Sequence, residues 1–136
     1  MKAITLLLLR LSTGIYLMLW GFMKLAAKDR AVGLSEKYYD GLLSSDVVNY
    51  GVGALEMIIG LLVILGLFRS IAYLGQLVFY FVGAAAIITN LLDPFAMYIA
   101  ETPKLTWFPS WTLLFASLVI IAFKSDDTLS LDTKRE

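Results

Sequence analysis

Apolar residues run almost unbroken through four stretches of the chain, each bounded by charges or turn-forming residues. The clearest is Ile71–Leu92, 22 residues without a charge. As a helix rising 1.5 Å per residue it covers ~33 Å, a bilayer core crossed with slight tilt. Residues 3–25 and 50–68 are two further spans, and 107–123 is the fourth and shortest. The fourth opens with Trp107 and Trp111, aromatics of the kind that settle at a membrane interface, and Pro109 suits its first helical turn. A transmembrane β-barrel would need short segments of alternating polarity, and these runs are continuous. The pattern therefore predicts an all-α fold: a polytopic membrane protein with a four-transmembrane-helix bundle over residues 1–124 and a polar C-terminal tail, 125–136.

Only Arg69 and Ser70 separate the second and third spans, which predicts an antiparallel helical hairpin. In the first loop, Ala26–Asn49, Leu34, Tyr38 and Leu42 recur at four-residue intervals with Glu36, Lys37 and Asp40 between them. That spacing fits an interfacial amphipathic helix, and an ordinary polar connection is the alternative. The second long loop, Asp93–Thr106, carries Pro94, Phe95, Tyr98 and Pro103 and is placed at the same interface. Four crossings put both termini on one side. Lysines and arginines divide almost evenly between the two sides, so the orientation rests on Lys2 and the short charged tail from Lys124, which favour cytoplasmic termini. A cleaved signal peptide at the N-terminus would leave three spans. Arg10 inside the apolar run and the lack of a small-x-small site speak against it.

Composition narrows the field. Hydrophobic residues make up 60% of the 136 and charged residues 16%, against roughly half and a quarter in soluble domains. A chain this small has too little interior to hide that excess from water. With 11 basic and 11 acidic residues the net charge is zero, which argues against nucleic-acid binding. The chain has no cysteine and no histidine, so disulfides, thiol relays and the commonest metal ligands are excluded, and no metal site is expected. No P-loop, GxSxG elbow or dinucleotide fingerprint is present, so no catalytic residue is assigned.

The residues that need explaining are the charges within the spans, Arg10, Lys24 and Glu56. An ionisable group near the bilayer centre costs at least ~2.5 kcal/mol, so it turns inward and finds a partner. Arg10, Gly14, Leu17, Gly21 and Lys24 share one helical face, as do Gly53, Glu56 and Gly60. The glycines permit close helix approach. Depth along the helices places Glu56 within reach of Arg10, with Lys24 able to share the carboxylate from the far end. A third stripe joins Gln76, Phe79, Gly83, Ala86, Asn90 and Asp93, and brings Asn90 and Asp93 to the same membrane face as Lys24, with Glu101 and Trp107. Arg10, Lys24, Glu56, Asn90 and Asp93 thus form a candidate polar cluster, while Gly14, Gly21, Gly53, Gly60 and Gly83 are candidate packing positions. A packing device that sets helix register, and helix-end capping by Asn90 and Asp93, are the structural alternatives.

The order of these features, Leu9-Arg10-Leu11, Gly21 with Lys24 and Leu25, Gly53 with Glu56, and the run Gly60 to Leu67 followed by Arg69, resembles the DoxX-like family over roughly residues 5–92. The resemblance implies a small four-helix protein of the inner membrane, similar to the membrane subunit of a thiosulfate:quinone oxidoreductase, with Arg10, Lys24 and Glu56 at the family's charged positions. The lack of cysteine departs from any thiol-carrying role. Two functions follow as expectations. One is a subunit or anchor, not an enzyme on its own, that associates in the lipid bilayer with a larger membrane or membrane-associated protein, an oxidoreductase near the quinone pool, or with itself. The other is a binding site for a quinone, lipid or anion, built on Arg10, Lys24 and Glu56 beneath Tyr16, Trp20 and Phe79.

Overall fold

A computed structural model describes residues 1–38, 40, 41, 45–88, 92 and 109–135, and within these the side chains of all but residues 31, 34, 35 and 38. The described residues form helices and turns, with no strand among them. Helix α1 is Lys2–Ala26, α2 Lys28–Tyr38, α3 Asp46–Leu65, α4 Arg69–Ala86 and α5 Pro109–Ala122. A 3-10 turn, Lys124–Asp126, and a short helix α6, Leu131–Arg135, follow. By length and composition α1 and α3 are able to cross a membrane, and α5 is a shorter apolar helix.

The side-chain distribution is inverted relative to a protein in water. Ile4, Leu8, Ile15, Leu19 and Phe22 of α1 are exposed, as are Leu55, Ile58 and Leu61 of α3 and Ile71, Leu74, Val78 and Phe81 of α4. The buried set includes Arg10, Thr13, Lys24, Asn49, Glu56, Gln76, Ser117, Asp127 and Ser130. Lipid explains both halves of this pattern, because an apolar surface costs nothing there while a polar group must be partnered inside. Among the described residues, Val63, Ala72, Tyr73 and Ile120 form a small apolar cluster and Ala84, Ile87 and Leu114 another, with Leu6, Leu17 and Tyr80 also buried.

Helices α1 and α3 meet along their glycines. A Cβ placed on Gly21 would lie 2.6 Å from the carbonyl oxygen of Gly53, and one on Gly60 would lie 2.8 Å from that of Gly14. At such distances two backbones touch with no side chain between them. Gly83 lies half-buried on α4. The inward face of α4 is Ala72, Tyr73, Gln76, Tyr80 and Ala84, so the stripe expected from the sequence is rotated, and Phe79, Gly83 and Ala86 fall on its half-buried flank. The two tyrosines cause the rotation, since each has a hydroxyl that needs a buried acceptor and finds one.

The α3–α4 connection is Gly66, Leu67 and Phe68, not Arg69 and Ser70, which belong to α4. Gly66, at φ +68°, closes α3 in a Schellman arrangement: Leu67 N–H donates to Leu62 O and Gly66 N–H to Val63 O. Phe68 is also left-handed, at φ +48°, and has no side-chain cap to offer α4. The cap comes from the tail. Asp132 accepts the N–H groups of Phe68 at 3.1 Å and Arg69 at 2.9 Å, and its own N–H donates to Gly66 O. These bonds, the Arg69 N–H first, hold the Asp132 carboxyl below its ordinary value of 3.8 against the opposing effect of burial. A depressed carboxylate contributes above its unfolded value and loses that contribution as pH falls through the folded one. Asp132→Ala is therefore expected to destabilise by about 1 kcal/mol at neutral pH, as loss of a helix cap does. The difference from the parent should vanish in acid below the ordinary carboxylate range, as read by thermal unfolding in detergent.

The first loop contains a helix, α2, whose start is tied to α3 by an ion pair between Lys28 and Asp46. The side chains of Leu34 and Tyr38, and Leu42 altogether, lie outside the described residues, as do Trp107, Asn90, and Asp93 with the loop that follows it.

Candidate functional site

Two buried ion pairs mark opposite ends of the bundle. Near the C-terminal end of α1, Lys24 Nζ lies 2.7 Å from Glu56 Oε2, with both side chains 9% exposed. The Gly21–Gly53 contact brings α1 and α3 close enough for two long side chains to fold together. Lys24 Nζ also lies 5.7 Å from the centre of the Trp20 ring, a cation–π distance. Asn49, fully buried, donates its amide to Lys24 O at 2.8 Å, and its Oδ1 has no partner among the described residues.

Arg10 does not join this group. Fourteen residues before Lys24 on α1, it lies ~21 Å away along the helix axis, and its partner is Asp127. Nη1 bonds both carboxylate oxygens at 2.9 Å, and Nη2 donates to Leu129 O at 3.0 Å. Both side chains are 2% exposed. The expected Arg10–Glu56 pairing is thus replaced by two separate pairs, because a carboxylate from the tail reaches Arg10 at its own depth. Tyr73 donates to Asp127 Oδ2 at 2.5 Å, and Arg69 Nη1 donates to the carbonyls of Lys124 and Asp127 at 3.0 and 3.2 Å. Beyond this network, Lys124 donates to Ser70 at 2.8 Å and Lys2 pairs with Asp126, so both termini meet at this end.

Between the pairs, a ladder of neutral polar groups ties α1, α4 and α5. Gln76 Nε2 donates to Thr13 Oγ1 at 3.1 Å and Ser117 Oγ at 3.2 Å, and Tyr80 donates to Thr13 O at 2.5 Å. The two hydroxyls donate in turn to Leu9 O and Leu113 O, which fixes them as acceptors towards Gln76. Because Gln76 Oε1 has no partner among the described residues, replacing the residue by leucine removes a buried orphan together with two weak bonds. Gln76→Leu is expected to change stability by less than about 1 kcal/mol, measurable against the parent by unfolding in detergent.

The sequence reading missed Asp127, Asp132, Tyr73 and Asn49. The two aspartates lie in a stretch without apolar periodicity, where nothing local marks one carboxylate from another. The available signal was electrostatic, since an arginine inside a span requires an acid at its own depth, and the tail places several at that end.

Outward apolar faces, an inward polar ladder and internally neutralised charges define the class: an all-helical protein of the membrane. Within that class the chain belongs to the DoxX family, whose model matches residues 5–90, more than half of its length. No curated protein and no solved structure matches it.

Proposed function

We propose that this DoxX-family protein is a four-span subunit of the inner membrane, with cytoplasmic termini, that holds a larger partner at the bilayer, an oxidoreductase working near the quinone pool. The observation that carries this reading is the closure of its charged groups. Arg10 is engaged by Asp127 and Lys24 by Glu56, in pairs that set how α1, α3 and the tail fit together. Charges used in this way organise a scaffold. The exposed apolar rows of α3 and α4 then supply the surface for lipid and for partner helices. Gentle extraction from native membranes, followed by mass determination and identification of every retained component, tests it. A stable larger protein in the complex supports the subunit reading. A lone chain or homo-oligomer overturns it.

A second reading, a small-molecule site, is favoured by Asn49 Oδ1, which has no partner among the described residues, on a side chain bonded to Lys24, itself in contact with Glu56 and Trp20. Arg10 belongs to the other end and has no part in it. A stoichiometric quinone, lipid or anion in the same extract, lost in Glu56→Gln, would support this reading over the first.

A further inference from the structure

The end of the bundle where the termini meet is built as a receptor for negative charge. Arg10 presents two guanidinium nitrogens, and Tyr73 its hydroxyl. Arg69 presents a second guanidinium, and α4, an 18-residue helix, directs the N–H groups of Phe68 and Arg69, which have no partner within the helix, towards the tail at the same end of the bundle. Two guanidinium forks, a phenol and a helix N-terminus are donors suited to an oxyanion, and especially to a phosphate.

The chain's own tail occupies this receptor with two carboxylates, Asp127 on Arg10 and Tyr73, and Asp132 on the α4 N-terminus. All the receptor residues lie within the part matched to the family, 5–90, and both carboxylates lie beyond it. The occupant does not exhaust the site. Arg10 Nε is buried with no acceptor among the described residues, and both carboxylate oxygens draw on the single nitrogen Nη1. A phosphate has more oxygens to offer the same fork. The tail is also held largely by polar contacts, and those in which it accepts from Arg10, Arg69, Tyr73 and the α4 N-terminus are of a kind another anion could replace. Its Leu129 and Leu131 are exposed, and only Ser130, packed on Gly66, is fully buried in the turn between them.

We propose that Arg10, Arg69, Tyr73 and the N-terminus of α4 form a phosphate-type oxyanion site, that residues 124–135 are its intramolecular occupant, and that a phosphate group displaces them. Displacement releases the tail and leaves Arg10 neutralised by the incoming anion, so neither end state strands a buried charge.

Tail release is read by trypsin cleavage after Lys124 in the full-length protein. One arm titrates inorganic phosphate against chloride at matched ionic strength in neutral detergent. The other compares nanodiscs of phosphatidylcholine with and without phosphatidylglycerol. Cleavage is expected to accelerate by about tenfold, the size of one charge-assisted hydrogen bond exchanged in the anion's favour. The response should be weakened in Arg69→Lys, which keeps the charge and loses the fork. Acceleration by phosphate identifies a free anion as ligand, and acceleration by phosphatidylglycerol alone identifies a lipid headgroup. Unchanged or slowed cleavage in both arms overturns the proposal. An independent reading uses Asp127→Asn, in which the site has lost its charged occupant. Phosphate should raise its melting temperature saturably and the parent's by less at the same concentration, because in the parent the anion must first displace Asp127, and equal behaviour of the two proteins would count against displacement.

Discussion

An Asp127→Ala protein is expected to lose about 3 to 5 kcal/mol of stability, the usual consequence of removing one member of a buried ion pair. The size follows from what is left behind. Arg10 is 1% exposed on a helix whose outer face is apolar, and without Asp127 its guanidinium retains Leu129 O and the more distant Tyr73 hydroxyl as neutral partners. Tyr73 loses its acceptor in the same step. The double change Arg10→Met with Asp127→Leu should recover most of the loss, because replacing both charges by apolar groups removes the desolvation cost along with the attraction. Unfolding of the parent, the single variants and the double variant in detergent completes the cycle. A double variant destabilised by the sum of the two single losses would show that Arg10 and Asp127 are not energetically coupled.

The second large effect is expected at a residue with no functional group. Gly21→Leu introduces a Cβ only 2.6 Å from the Gly53 carbonyl oxygen and 3.0 Å from Glu56 Cβ, with three further carbons to place beyond it. The nearest obstruction is backbone, so no rotamer change relieves it, and α1 and α3 must move apart. Overpacking by a methylene or two in a tight core costs about 1 to 3 kcal/mol. Here separation of the helices also pulls Lys24 from Glu56, and the expected loss is above that range. By contrast, Gly51 has no neighbour among the described residues within 4 Å of an added Cβ, and Gly51→Ala should be tolerated. Loss of folded protein in Gly51→Ala comparable to that in Gly21→Leu would refute the contact explanation.

Both effects bear on how the fold is encoded. The helices were legible from continuous apolar runs, which in lipid leave the backbone few alternatives to hydrogen-bonding itself. Their ends were less so: the turn at Gly66 to Phe68 depends on two left-handed residues and on a cap delivered by Asp132, 64 residues after Phe68. The glycine faces of α1 and α3 were legible because a period of three and four places Gly14, Gly21, Gly53 and Gly60 on single stripes. That Arg10, Lys24 and Glu56 must turn inward was legible for the same reason, with the added force of the cost of a charge in lipid.

Which acid each cation meets was decided only by the folded molecule. Lys24 and Glu56 are 32 residues apart and Arg10 and Asp127 are 117 apart, separations over which sequence spacing carries no information. Depth along a helix restricts the choice, yet it left Arg10 free to be assigned to Glu56, because the tail was read as a short polar segment outside the four-helix domain. By itself the sequence determined that this chain is helical, that its outer faces belong in lipid and that its charges must be neutralised internally. The tertiary structure decided the pairing. Periodicity acts locally and fixes the face a residue occupies, whereas an ion pair depends on how distant segments approach one another, and that approach is set by packing at Gly21, Gly53 and Gly66 together with the return of the tail.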